Sequence, residues 1–207
     1  MGVIRGTKSQ VKAYEQWSAM AFLGGGVLFG LVVISLVMLG ETVPAIGIEL
    51  ALVVVFVLVA VAMSGLRPKL QPQASTLADV GTLGAAIAIV GAFLALVSLA
   101  VVSVTGWNPG VLELVIWMGT LAALALGFLA FGIAIWKTKA VKRITGGLLV
   151  GGGLFLLIYI ANTILWDLEV VALAMMMLWG LVLLGVGSAL RTEPQPQHAG
   201  PLEDRVT

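Results

Sequence analysis

The sequence predicts an all-α integral membrane protein, a bundle of six transmembrane helices, on three observations. First, 60% of the 207 residues are hydrophobic and only 10% are charged, whereas a soluble protein carries about 25% charged residues. Second, six apolar segments reach the length of about 20 residues that a helix needs to cross the hydrocarbon core. Third, every Lys and Arg residue lies outside these segments. Too few polar side chains remain to cover a water-soluble globule, so we expect lipid around most of the chain.

The predicted spans are separated by short polar or glycine- and proline-containing segments. Their approximate ranges are 17–39, 45–66, 77–104, 111–136, 144–166 and 170–190. The first span is longer than the apolar core of a signal peptide, which has about 7 to 15 residues, so we interpret it as a retained anchor. Residues 1–16 remain as an N-terminal segment. Residues 191–207, with prolines among polar side chains, are predicted to form a disordered tail.

The connection between the second and third spans contains Pro68 and Pro72. Two prolines so close together predict an irregular loop over residues 67–76. Thr76 and Asp79 have the spacing of a capping box, so we expect the third helix to begin beside them.

The distribution of charge predicts the orientation of the chain. Short cytoplasmic loops retain Lys and Arg, whereas translocated loops lack them. The basic residues all fall on one side of a six-span chain: Arg5, Lys8, Lys12, Arg67, Lys69, Lys137, Lys139, Lys142, Arg143, Arg191 and Arg205. The opposite side has only acidic residues: Glu41, Glu49, Glu113, Asp167 and Glu169. We therefore expect a multi-pass protein of the cell (plasma) membrane with both termini in the cytoplasm.

Small residues recur at steps of three and four in the third and fourth spans. These are Gly81, Gly84, Ala88, Gly91 and Ala95 in the third span, and Ala123, Gly127 and Ala130 in the fourth. Such steps keep the residues on one helix face, and small residues let helices approach closely in a bilayer. We predict a closely spaced antiparallel hairpin at the centre of the bundle. The alternative is that glycine and alanine are merely frequent in this chain.

Two glycine runs indicate an internal repeat. Residues 24–26 and 151–153 are both Gly-Gly-Gly, in the first and fifth spans. Gly30 lies four residues after the first run and Gly147 four residues before the second begins, which completes two GxxxG spacings. The pattern favours three hairpin pseudo-repeats. An inverted repeat of three plus three spans is the alternative.

Three polar residues near the outer ends of the spans are candidate contacts for a solute or ion. Glu49 lies about one turn inside the second span, Glu113 in the first turn of the fourth, and Asn162 near the outer end of the fifth. Ionisable groups within a membrane span are typical of transport or binding sites. The alternative is that both carboxylates stabilise helix N-termini and that Asn162 bonds to a neighbouring helix.

Two deeper tryptophans and a methionine run have simpler interpretations. Trp117 and Trp179 lie deeper than the other tryptophans, and the two alternatives for Trp179, near mid-span, are to line a cavity or to fill space. Filling space is the expected role of Trp179, because no polar group accompanies it. The run 175–177 is Met-Met-Met, but adjacent helical residues point about 100° apart and cannot converge on one copper ion. Packing is the expected role of these methionines.

The remaining residue types limit the classes of function. The chain has no cysteine, and its one histidine, His198, lies in the tail. We therefore expect no enzyme, no cofactor and no metal site. A net charge of +1 without a basic stripe argues against nucleic-acid binding. The expected function is that of a non-catalytic accessory, assembly or regulatory membrane component, whose partners are the lipid bilayer and another membrane protein or a second copy of the chain. The alternative is a small-solute or cation permease or channel with an acidic outer mouth.

Overall fold

The chain folds into six α-helices in a computed structural model, which describes residues 7–39, 45–106 and 110–192. The helices are α1 (Thr7–Leu39), α2 (Ala45–Ser64), α3 (Arg67–Thr105), α4 (Val111–Thr138), α5 (Arg143–Leu165) and α6 (Glu169–Arg191). Each contains a stretch that is long and apolar enough to cross a membrane, and these three ranges contain no strand. The predicted six-helix membrane bundle is confirmed.

The helix ends differ from the predicted spans mainly at the starts of α1 and α3. α1 begins at Thr7, although its apolar part begins at Gln16. Residues 7–16 of the predicted N-terminal segment therefore continue the first helix. Residues 1–6 and 193–207, which include most of the tail predicted to be disordered, lie outside the described residues.

The six helices form a closed ring in chain order. Each helix packs on the next one along the chain, and α6 packs on α1. The interface between α3 and α4 is the most extensive, but α4 is the most buried of the six spans and α3 the least. The predicted position of this hairpin at the centre is therefore wrong for α3. Its outer face carries large exposed side chains such as Leu83, Val90 and Phe93.

The face between α3 and α4 is lined by the small residues noted in the sequence. A Cβ atom placed on Gly84 would lie 2.6 Å from the carbonyl oxygen of Ala123 and 3.0 Å from the amide nitrogen of Gly127. One placed on Gly91 would overlap the side chain of Thr120. The two backbones approach each other too closely for a larger residue at these positions.

In each glycine run, the second and third glycines pack against neighbouring helices. Gly26 meets Leu184 of α6, and Gly153 meets the carbonyl oxygen of Ala125 in α4. The first member of each run faces open space, and so does Gly30. Among the described residues of this chain, one glycine of each GxxxG pair, Gly30 or Gly151, therefore contacts no neighbouring helix.

α3 bends sharply near its start. Ala74 has non-helical angles, φ −144° and ψ 54°, two residues after Pro72. The bend allows Arg67 Nη2 to donate a hydrogen bond of 2.9 Å to Asp79 Oδ1, although twelve residues of straight helix would span about 18 Å.

The prediction of an irregular segment over residues 67–76 is therefore wrong except at Ala74, since the rest of the segment is helical. Pro68 occupies the first helical turn, where its missing N–H group costs no hydrogen bond. The predicted start of the third helix beside Thr76 agrees with the break at Ala74, after which the helix resumes. The predicted capping box is not formed, because Asp79 pairs with Arg67.

The two ends of the bundle carry opposite charge. We call the end that holds Arg67, Lys69, Lys137, Lys139, Lys142, Arg143 and Arg191 the basic end. There Lys142 Nζ donates to the carbonyl oxygen of Thr192 at 2.9 Å and joins the start of α5 to the end of α6. We call the other end, with Glu49, Glu113, Asp167 and Glu169, the acidic end.

Candidate functional site

A cavity of about 460 Å³ extends from the acidic end towards the middle of the bundle. Residues of α1, α2, α4, α5 and α6 line this acidic-end cavity, and α3 contributes none. Glu113 lies near its outer limit and Trp179 near its inner limit. Trp179 is ten residues beyond the start of α6, which corresponds to a depth of about 15 Å. The cavity therefore reaches about half of a hydrocarbon core of about 30 Å.

Two carboxylates, Glu49 and Glu113, line the outer part of the cavity. Both side chains are half-buried. Neither pairs with a basic side chain among the described residues. Glu113 lies in the first turn of α4, where the helix dipole stabilises it, whereas Glu49 lies beyond the first turn of α2. The helix-terminus explanation therefore applies to Glu113 and leaves Glu49 unexplained.

An aromatic cluster forms the inner end of the cavity. The ring of Trp179 lies 4.8 Å from Phe29, 6.0 Å from Phe56 and 6.2 Å from Phe128, measured between ring centroids. Phe56 in turn lies 5.6 Å from Trp117. These side chains come from α1, α2, α4 and α6. Since α4 is not adjacent to α1 or α6 in the ring, the cluster fills the centre of the ring.

Trp179 carries a polar group without a partner. Its side chain is 2% exposed, and its Nε1–H group is buried with no hydrogen-bond acceptor. A buried donor left unsatisfied costs about 1–3 kcal/mol. An acceptor supplied by a ligand or a water molecule in the cavity would remove this cost.

The two deep tryptophans thus have a different setting from the expected one. Trp117 and Trp179 line a cavity that also contains Glu49 and Glu113, so Trp179 has the role that was the alternative to filling space. Glu113 precedes Trp117 by four residues on α4, about one helical turn, so this proximity does have a signal in the local sequence. Glu49 lies on α2, and it shares the cavity with both tryptophans only because of how the helices pack. The cavity residues Phe29 and Phe56 were not identified at all, because nothing distinguishes them from other apolar residues of a span.

Asn162 lies near the cavity but does not line it. Its side chain is buried, its Nδ2 donates to the carbonyl oxygen of Leu168 at 3.1 Å, and its Oδ1 accepts from the amide of Leu168 at 3.3 Å. The backbone carbonyl of Asn162 also accepts from Asp167, which has a positive φ of 48°. Asn162 therefore holds the turn between α5 and α6.

The three methionines diverge around α6. Met175 and Met176 line the cavity, while Met177 is half exposed on the outer surface of the bundle. Within the described ranges no group of three His, Cys, Asp or Glu side chains is placed to hold a metal ion. The polar chemistry of the cavity therefore comes from Glu49, Glu113 and single donors such as Tyr159 and Trp179.

Comparison of the chain with protein-family models, with curated proteins and with solved structures finds no match. The geometry of the cavity is therefore the basis on which its function has to be inferred.

Proposed function

We propose that this multi-pass membrane protein is a permease for a small organic cation with an apolar body, which enters the acidic-end cavity. The observation that carries the proposal is that Glu49 and Glu113, neither of which forms an ion pair within the part of the chain that the structure describes, line a cavity whose inner wall is aromatic. A cation neutralises two like charges that otherwise repel each other. Aromatic faces such as those of Trp117 and Trp179 attract organic cations and accommodate apolar groups.

The size and shape of the cavity support a small ligand. A volume of about 460 Å³ lies within the range of about 300–1,000 Å³ that is usual for small-molecule sites. Most of the lining is apolar, with few polar groups to fix orientation. An inorganic ion would leave most of this space unfilled, so a ligand with one charged group and an aromatic or aliphatic body fits better.

The orientation and the role in the membrane belong to the same proposal. We place the acidic end outside the cell and the basic end in the cytoplasm, in agreement with the positive-inside rule. The acidic-end cavity then receives its solute from the exterior or from the outer leaflet. The cluster around Trp179 separates the cavity from the basic end, so transport requires movement of these side chains. A non-catalytic accessory role, which the sequence favoured, remains a prediction that no feature of the cavity supports.

Binding can be measured by calorimetry with the purified protein in nanodiscs. The probe is benzyltrimethylammonium, and its neutral control is neopentylbenzene, which has the same shape without the charge. We expect saturable binding of the cation alone. Glu49→Gln and Glu113→Gln should each weaken binding about tenfold, because each removes a charged contact. Glu169→Gln, an acid at the same end outside the cavity, is the matched control.

Transport can be tested with the same variants in proteoliposomes and radiolabelled benzyltrimethylammonium. Saturable uptake that falls in Glu49→Gln and Glu113→Gln and persists in Glu169→Gln supports the permease. Binding without uptake would restrict the function to recognition of the cation. Equal binding of the neutral control would contradict the role given to the carboxylates.

A further inference from the structure

A second cavity lies at the basic end. It has a volume of about 450 Å³ and lies between α1, the end of α2 and the bent start of α3. Its lining includes Trp17, Ser18, Ser64, Arg67 and Gln71. This basic-end pocket is separate from the acidic-end cavity, with which it shares no lining residue. Polar side chains make up much more of its wall than they do in the acidic-end cavity.

Two polar atoms of this pocket are buried and have no partner. Ser18 is 2% exposed, and its hydroxyl group makes no hydrogen bond. The Nε–H group of Arg67 is likewise buried and unpaired, although Nη2 of the same guanidinium bonds to Asp79. Buried polar groups in proteins are normally satisfied. One hydroxyl and one guanidinium N–H beside a pocket indicate that an acceptor with negative charge belongs there.

The position of the pocket indicates the source of that acceptor. Trp17 is 71% exposed at its edge, as is usual for a tryptophan at the boundary between membrane and water. Arg67 lies between the apolar part of α2 and the bend at Ala74, so we expect it at the level of the lipid headgroups. Arginine is well suited to phosphate because its planar group can donate two hydrogen bonds.

We propose that the basic-end pocket binds the phosphate group of an anionic phospholipid. The phosphate oxygens accept hydrogen bonds from Arg67 Nε and, after rotation of its side chain, from Ser18 Oγ. Asp79 competes with the phosphate for the same guanidinium, so the ion pair of 2.9 Å weakens this site rather than forming part of it. A lipid on these residues connects α1 to the start of α3, helices that otherwise lie on opposite sides of α2 in the ring.

The experiment measures the affinity of short-chain lipids, below their micellar concentration, for the purified protein in detergent. The probes are dihexanoyl phosphatidylglycerol, dihexanoyl phosphatidylcholine and inorganic phosphate. We expect phosphatidylglycerol to bind and to raise the unfolding temperature, and phosphatidylcholine to bind at least about tenfold more weakly because its headgroup carries a cation. If inorganic phosphate has the same effect as phosphatidylglycerol, the pocket binds an anion, but its assignment to a lipid is overturned.

The variants separate a phosphate site from a structural ion pair. Arg67→Gln should weaken binding of phosphatidylglycerol about tenfold, and Ser18→Ala about fivefold. Asp79→Asn should strengthen binding about twofold to fivefold, because it frees the guanidinium. If the ion pair serves only the fold, Arg67→Gln and Asp79→Asn instead shift both unfolding temperature and lipid binding in the same direction, and the proposal fails.

Arg143→Gln provides the matched loss of one charge at the basic end, outside the pocket. It should leave the affinity within about twofold of the parent. Equal losses in Arg143→Gln and Arg67→Gln would indicate a general attraction of anionic lipid to the basic end and would overturn a site at Arg67. Ser18→Ala keeps every charge and every ion pair, so it tests the pocket even if Arg67→Gln does not fold.

Discussion

The face between α3 and α4 and the acidic-end cavity differ in how closely the helices approach each other. On the first, Gly84 brings α3 so near to α4 that a single added carbon would meet the carbonyl of Ala123. Around the second, large side chains such as Phe56, Trp117 and Trp179 stand between α2, α4 and α6. The first region has no space for a ligand, and the second leaves about 460 Å³ unfilled.

The difference between the two regions follows from the lipid that surrounds the helices. Lipid tails are as apolar as leucine, so burial of large apolar side chains gives little drive for helix association, and close backbone packing at small residues contributes more. Residues that stabilise the ring are therefore the small ones. Bulky aromatic residues hold helices apart and can enclose a cavity.

The largest expected effect comes from Gly84→Leu on the tight face. The new side chain would meet backbone atoms of α4, which cannot move aside without separating the helices. We expect a loss of about 3 kcal/mol or more in the free energy of unfolding, measured by thermal or denaturant unfolding in detergent. Gly24→Leu is the control, since nothing lies within 4 Å of a Cβ atom there. Similar losses in both variants would show that glycine does not set the distance between α3 and α4.

A smaller loss is expected beside the cavity for Asn162→Ala. The variant removes two hydrogen bonds to the backbone of Leu168 and should cost about 1–3 kcal/mol of unfolding free energy. Affinity for benzyltrimethylammonium should stay within about twofold of the parent, because Asn162 does not line the cavity. A variant that loses affinity while keeping its stability would instead make Asn162 a contact for the solute, as the sequence suggested.

The smallest effect is expected for Trp179→Phe within the cavity itself. Without ligand, the loss of an unpaired N–H group should offset part of the lost ring packing, so the unfolding free energy should change by less than about 1 kcal/mol. In the parent protein, benzoylcholine, whose ester carbonyl can accept from Trp179 Nε1, should bind about fivefold tighter than benzyltrimethylammonium. This advantage should disappear in Trp179→Phe and persist in Trp117→Phe. Its persistence in both would exclude the indole of Trp179 as the donor.

Much of the fold could be predicted from the sequence because it depends on local composition. Runs of apolar residues gave the six helices, and the steps of small residues in the third and fourth spans gave the face that contains Gly84 and Ala123. The bend of α3 could not be predicted in the same way. Pro68 and Pro72 are compatible with a loop or with a helix, and the ion pair between Arg67 and Asp79 exists only once the bend has formed.

The candidate site was predictable only in its polar part. Glu49 and Glu113 are conspicuous because acids are costly in a membrane span. Their common position beside Trp179 depends on the order of helices around the ring, which apolar periodicity does not contain. Contact between α1 and α6 is the closing step of that order, and it joins segments that are among the most distant in the chain.

That last contact has a consequence for biogenesis. Gly187 of α6 packs against the backbone of Ala19 and Leu23, and Gly26 packs against Leu184. During translation α1 is therefore in the bilayer without its contact to α6 until the ribosome has released α6. A premature stop before Glu169 leaves the opening helix with one neighbour instead of two, so we expect quality-control proteases to remove such truncated products.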